Sequence, residues 1–268
     1  MSKKRVLFVT QEMSPYTAVS EISDFVRKLT PYIQNKGMEI RVLMPKYGLI
    51  NERRHRLHEV VRLSGMNIIV DDDDYPLIIK VASLPGARMQ VYFLDNEEFF
   101  KRKQVFDDED GKPFADNQER MVFFCKSALE TVKKFGWAPD IVHCHGWMTS
   151  LIPLYLKSVY NEDPIFMESK VIYTPYADSY EASFDKKFLE LASINSLEPK
   201  DLDNFKSGTK ITLHEGGIAH SDAITIGSKE LSKNVSKVVS KYDAPKLEFE
   251  EEAEMPAACL EFYKELLK

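Results

Sequence analysis

The sequence predicts an α/β protein in which a mainly parallel sheet is flanked by helices, with an antiparallel meander added near residues 66–95. Three observations lead there. Short apolar runs rich in β-branched residues recur along the chain, segments of 3.6-residue periodicity lie between several of them, and three runs from 66 to 95 follow one another without a helix. With 268 residues and 44% apolar side chains, one sizeable core can be filled.

In chain order the strand candidates are "RVLFVT" (5–10), "EIRVLMP" (39–45), "MNIIV" (66–70), "PLIIKVASL" (76–84), "MQVYFLD" (89–95), "DIVHCH" (140–145), "KVIYTP" (170–175) and "AITIG" (223–227). Each is bounded by turn residues, which favours strands over helices. Helical spacing marks 20–36, 115–136, 148–160, 184–194, 206–220 and 228–241. The stretch "DDDDY" (71–75) reads as a solvated turn rather than a metal site. The tail 246–268 is an acidic lead followed by a helix whose Ala257, Leu260, Phe262, Leu266 and Leu267 are expected to pack onto a body formed by 1–245.

Composition narrows the function. A formal charge of -6 supplies no positive field to gather nucleic acid or anionic lipid. No apolar run is long enough for a membrane span, and the N-terminal stretch lacks the pattern of a signal peptide, so a cytoplasmic location and no membrane partner are expected. Cys125, Cys144 and Cys259 are odd in number and sit in apolar contexts, as reduced core residues do. With only 11 glycines there is no GxGxxG and no Walker loop. No cofactor is expected.

Four segments hold chemistry-bearing residues. "VTQEMSPYTAVSEISDFV" (9–26) leaves a strand and enters a helix, the usual seat of a phosphate, yet has no glycine and puts Glu21 at the helix start. "DIVHCHGWMTSLIPLYLK" (140–157) sets His145, Gly146 and Trp147 just past a strand's carboxyl end, where ligands gather in open α/β sheets. His143 and His145 are two apart and so share a face. A metal site would need further ligands, and the plainer expectation is one histidine in the core and one at the rim. "FADNQERMVFFCKSALE" (114–130) opens a helix with Asp116 as N-cap and Glu119 completing a capping box, and with Arg120 one turn on as a solvated partner for Asp116. In "HEGGIAHSDAITIGSKEL" (214–231), Gly216 and Gly217 in a helical pattern cost about 2 kcal/mol relative to alanine, which points to close approach of another backbone or a ligand, with packing the favoured cause.

Together these segments resemble the N-terminal half of glycogen and starch synthases, retaining glucosyltransferases of the GT-B fold. "VLFVTQEMSPY" is similar to the family's opening strand and Glu-x-x-Pro-[Phe/Tyr] turn, and "RVLMPKYG" (41–48) to its Arg-Val-x-x-Pro-x-Tyr-Gly. "YFLDNEEFFKR" (92–102) resembles Tyr-Phe-x-Asp-Asn-x-x-Tyr-Phe-x-Arg. "DNQERMVFFCKSALE" (116–130) resembles the Asp-Asn-x-x-Arg-Phe helix, and "PDIVHCHGWMTSLIPLYLK" (139–157) the His-x-His-Asp-Trp segment. The resemblance runs in order over about residues 1–235. It implies a Rossmann-like sheet, Asp116 and His145 as catalytic positions, and Glu12, Tyr16, Asn117, Arg120 and Trp147 as substrate-binding positions, with no metal.

The departures from the family pattern bear on activity. Its Lys-[Thr/Val]-Gly-Gly-Leu, which meets the nucleotide sugar, is Ala18, Val19, Ser20, Glu21 and Ile22 here. Gly146 stands in place of Asp, Met148 in place of His or Gln, "YTPYADSY" (173–180) in place of Thr-x-His-Asn, and Glu215 falls near a family lysine. A carboxylate at a helix start stabilises the helix by about 0.3–1 kcal/mol. Opposite a phosphate about 5 Å away it would oppose binding by roughly 3 kcal/mol, on the order of a hundredfold in affinity. The resemblance also implies a C-terminal nucleotide-binding domain that this stretch of sequence does not span, with 251–268 taking the place of the helix that crosses back.

Three functions are therefore weighed. The favoured one is a catalytically degenerate domain that binds a glucan, a sugar, a protein partner or a second copy of itself. The alternative is an active component that transfers glucose from ADP- or UDP-glucose to an α-1,4-glucan with a separate partner domain. The third is a metal-assisted hydrolase at His143 and His145.

Overall fold

The computed structural model describes residues 3–177, 180, 183–251 and 253–268. Its elements in order are β1 (Arg5–Thr10), α1 (Glu21–Asn35), β2 (Glu39–Pro45), α2 (Glu52–His55), β3 (His58–Glu59), β4 (Met66–Val70), β5 (Asp73–Ser83), β6 (Gln90–Asp95), α3 (Glu97–Phe100), α4 (Asn117–Phe135), β7 (Ile141–His145), α5 (Leu151–Lys157), β8 (Lys170–Thr174), α6 (Lys187–Leu191), β9 (Lys206–Ser207), β10 (Lys210–Ile211), α7 (Leu213–Ala219), β11 (Ala223–Thr225), α8 (Lys233–Ser240), β12 (Lys246–Leu247) and α9 (Met255–Leu266).

The main sheet runs in the order β12-β11-β8-β7-β1-β2-β6-β5-β3, with β4 added on β5. Every pair from β12 to β6 is parallel, whereas β3, β4 and β5 pair antiparallel. The meander is thus real, and its last strand β6 also belongs to the parallel sheet through β2. Residues Val6 to Thr10 of β1 and all of β7 are buried, as expected of central strands covered on both faces. Chain order reverses between β1 and β7, which places a crevice at their carboxyl ends.

The helices form where periodicity and caps agree. Ser20 caps α1 by accepting from Ile22 N–H at 3.3 Å, and Ile22, Val26, Leu29 and Ile33 turn inward. Gly136, with φ +60°, ends α4 in the left-handed conformation that glycine adopts without strain. The expected helix over 206–220 is corrected. Its first part is the β9–β10 hairpin and only Leu213–Ala219 is helical, because Gly208, at φ +63°, turns the chain there.

The tail is held by two elements. Strand β12 pairs parallel with β11, and α9 packs against α1. Leu260 and Phe262 are buried as expected, with Met255, Cys259 and Tyr263, while Ala257 points outward and the apolar face rests on the larger side chains. All three cysteines are buried and unpaired. No helix among the described residues is long and apolar enough to cross a membrane.

Candidate functional site

The loops that follow β1, β8 and β11 converge on the crevice between β1 and β7. After β1 the chain places Glu12, fully buried, beneath the start of α1. Its carboxylate accepts from Val19 N–H at 2.5 Å, Ser20 N–H at 3.1 Å and the Ser20 hydroxyl at 2.5 Å. The two amides just ahead of α1 are thereby occupied by the protein's own anion, and Ser20 in turn caps the helix. Next to them Glu21 accepts from the Ser228 hydroxyl, and Ser228 in turn accepts from Ala177 N–H at 2.8 Å. Gly227 N–H donates to the Pro175 carbonyl at 3.0 Å. The three loops are stitched to one another across the crevice.

Beneath this stitching lie the two histidines of β7. Their rings are on one face, 4.0 Å apart between centroids, as the two-residue spacing requires. Neither is at the rim, which corrects the expectation for one of them, because Tyr176 folds over His145. The Tyr176 hydroxyl and His145 Nδ1 are 2.9 Å apart, and Phe8 stacks on the other side of that imidazole. His145 Nε2 is buried with no partner among the described residues. Burial holds this imidazole down to about 3, so it is a neutral donor or acceptor and not a cation. His143 is likewise pushed well below its ordinary value by burial and by His145. It bonds to the Tyr263 hydroxyl at 2.5 Å through Nδ1 and to the Thr174 hydroxyl at 2.7 Å through Nε2. With one nitrogen on Tyr263 and the other on Thr174, His143 has no lone pair to offer a metal. No group of three or more metal-ligating side chains is found among the described residues.

Past β7, Gly146 adopts φ +83°, and a side chain there would run into Gln11 Oε1 at 2.3 Å and Ile22 Cδ1 at 2.8 Å. Gln11 Oε1 accepts from Met148 N–H at 3.3 Å, which fixes the turn. Trp147 is fully buried against Phe106, Tyr180 and Phe184. Of the altered segment 173–180, Asp178 and Ser179 lie outside the described residues.

The helix that carries Asp116 differs from its expected capping. Asp116 makes no side-chain cap bond and Arg120 does not pair with it. Arg102 takes that place, its guanidinium gripping both carboxylate oxygens, with Nη1 2.9 Å from Oδ1, while stacking 4.2 Å over Phe114. Arg120 is fully buried, donating to the Phe99 carbonyl at 2.8 Å and to Asn117 Oδ1 at 2.7 Å, and Asn117 donates to the Phe106 carbonyl at 2.9 Å. Glu119 pairs with Lys187 instead of the helix start. Tyr16 donates to the Ser83 carbonyl at 3.1 Å and packs edge-on against Phe93, with burial pushing its phenol up to about 12.

The geometry therefore gathers Glu12, Gln11, Gly146 and His145 at the sheet's reversal point. Asp116 is about one-third exposed beside Arg102, and Asn117, Arg120 and Tyr16 are turned inward as braces. Two residues that sequence reasoning passed over are decisive. Arg102 had a signal, since it closes the quoted segment 92–102. Tyr263 had none, because nothing in a sequence places a C-terminal tyrosine beside a central strand.

A profile of the starch synthase catalytic domain matches residues 5–243. The chain belongs to that family. Among curated members, the glycogen synthase of Chlorobium limicola is 35% identical over 228 residues, which cover 84% of this chain and 46% of that protein. The glycogen synthase of Chlorobaculum tepidum is 35% identical over 247 residues, covering 91% and 49%. This starch synthase-type domain spans about half the length of the curated relatives it matches. The catalytic domain of starch synthase IV from Arabidopsis thaliana, bound to ADP and acarbose, superposes with a TM-score of 0.77 at 21% identity, over 92% of this chain and 51% of that one. The shared fold is an α/β glycosyltransferase domain.

Proposed function

We propose that this glycogen synthase-like domain is catalytically silent and acts by binding, with an α-glucan as its ligand and the partly exposed edge around Asp116 and Arg102 as its site. The observation that carries this is the filled crevice. The amides of Val19 and Ser20 already hold Glu12, and Glu21 stands beside them on Ser228. A diphosphate arriving there would have to displace one carboxylate and lie against another, each opposing it by roughly 3 kcal/mol at about 5 Å. His145, the family's catalytic histidine position, is capped by Tyr176 and has no path to a sugar in this arrangement. The acarbose and ADP bound by the Arabidopsis relative support a carbohydrate ligand for the fold. On this reading 246–268 is a returning segment that closes the domain formed by 1–245.

Glucose transfer from radiolabelled ADP-glucose to glycogen should be undetectable, and maltoheptaose but not ADP-glucose should raise the melting temperature. Turnover that is lost in Asp116→Ala would overturn the reading. It would establish instead the active component, which the retention of Asp116 in an ion pair with Arg102 favours.

A further inference from the structure

The edge of the sheet opposite the crevice holds a cavity of about 430 Å³, lined by Gln34 from the end of α1, Glu39 and Arg41 from β2, Gln90 and Tyr92 from β6, and Arg88 from the loop before β6, with Ser83 of β5 beside them. Its walls are fixed. Gln34 Nε2 donates to the Arg88 carbonyl at 3.0 Å, Arg27 donates to the Pro85 carbonyl at 2.6 Å, and Leu84 N–H donates to the Met89 carbonyl at 2.9 Å. The loop 84–89 is therefore anchored to α1 and to itself before any ligand arrives.

Arg41 is the unusual residue of this cavity. Its guanidinium stacks over Phe135 at 4.3 Å and Trp137 at 4.7 Å, which fixes its plane, yet Nη1 is shielded from solvent and has no partner among the described residues. A buried cationic donor without an acceptor is a standing destabilisation. The carboxylate nearby does not relieve it, because Glu39 is committed to Arg5 Nε at 3.2 Å and to Trp137 Nε1 at 2.7 Å. Burial lowers the Arg41 pKa and the like charges of Arg5 and Arg62 act in the same direction, with Glu39 and Tyr92 opposing them. In a chain of net charge -6 the cavity itself is lined by Arg41 and Arg88 against Glu39, and Arg5 and Arg62 add their charges near Arg41.

We propose that this cavity binds a phosphorylated small molecule, its phosphate gripped by Arg41 and Arg88 and its hydroxyls met by Gln34, Ser83 and Gln90. A planar guanidinium that is held against two ring faces and lines the cavity with its accessible part suits a phosphate, and the volume is that of a small-metabolite site. This site lies at the sheet edge away from β7 and is independent of whether the crevice is active.

The test is calorimetry and thermal shift on the whole chain at fixed salt, with inorganic phosphate, fructose 6-phosphate and uncharged fructose as probes. Fructose 6-phosphate should bind and raise the melting temperature, inorganic phosphate should bind more weakly, and fructose should not bind. Arg88→Ala, at an exposed rim position, should weaken fructose 6-phosphate about tenfold while leaving the unliganded melting temperature in place, and Arg41→Gln should weaken it at least as much. No binding by either phosphate, equal binding of fructose and fructose 6-phosphate, or binding untouched by Arg88→Ala each overturns the proposal. If Arg41→Gln does not fold, Arg88→Ala alone decides.

Discussion

The hydroxyl of Tyr263, near the end of the last helix, lies 2.5 Å from Nδ1 of His143 in the middle of the sheet. Both side chains are fully buried, so the tail is tied to the strand that leads into the crevice. Tyr263→Phe keeps the ring and removes the hydroxyl, leaving a buried imidazole nitrogen unmatched. It should lower the unfolding free energy by about 1–3 kcal/mol in denaturant titration. Unchanged stability would mean that the hydrogen bond contributes nothing to the closing of the tail.

Acid should weaken the fold through the same pair of histidines. In the unfolded chain each titrates near 6.5, whereas in the fold His145 is held down to about 3 and His143 well below its ordinary value. Facing them are the phenols of Tyr176 and Tyr263, and burial pushes the Tyr263 phenol up and keeps it protonated in this range. The stability permitted by neutral imidazoles is complete above pH 6.5 and is lost as pH falls, by about 1.4 kcal/mol per pH unit for each histidine. His145→Gln should flatten the stability profile between pH 6.5 and 4.5 by about that slope. An unaltered slope would show that His145 takes up its proton in the folded state.

Glu12 should matter to stability more than its place in a loop implies. Glu12→Ala leaves Val19 N–H, Ser20 N–H and the Ser20 hydroxyl without their acceptor. A loss of about 2 kcal/mol or more is expected in thermal or chemical unfolding, compared with the roughly 1 kcal/mol of an ordinary helix cap. A loss below 0.5 kcal/mol, the usual size for a plain surface site, would remove Glu12 from that role.

The glycine pair of α7 makes opposite demands on propensity and packing. Alanine is better than glycine in a helix by about 1 kcal/mol. At Gly216, however, an added Cβ would meet the Phe205 ring at 2.3 Å, and at Gly217 the Tyr173 ring at 2.8 Å. Gly216→Ala should therefore destabilise, by about 1–3 kcal/mol after the helical gain. A more stable variant would show that Phe205 yields easily.

The longer strands were legible in the sequence because each is a compact apolar run, and seven of the eight expected runs coincide with strands to within a residue or two at each end, while the run at 76–84 is the core of the longer β5; the two-residue strands β3, β9, β10 and β12 have no such run. The helices α1 and α4 were legible for the same reason, having long periodic faces. The segment 206–220 was misread because Lys206, Ser207 and Lys210 carry no pattern that separates a hairpin from a helix start. At the crevice, sequence identified which residues stand there but not how they pair. Asp116 found Arg102 rather than Arg120 because a partner fourteen residues away reaches it through the loop 101–116, whereas Arg120 is drawn inward by Phe99 and Asn117. The burial of His145 depends on Tyr176 from the loop after β8, a contact that only the folded sheet creates.

With φ at +83° at Gly146 and Gln11 Oε1 2.3 Å from where a Cβ would stand, an aspartate at this position would strain the backbone and push Gln11 aside. Gln11 would then give up the hydrogen bond from Met148 N–H that fixes the turn. Restoring a lysine and two glycines at the start of α1 would leave this obstacle untouched. The turn at 146 and the start of α1 are therefore coupled through Gln11 and Ile22, so that residues at these places are changed most safely as a set. A designed revertant should accordingly be built with positions 11, 18, 20, 21 and 146 changed together.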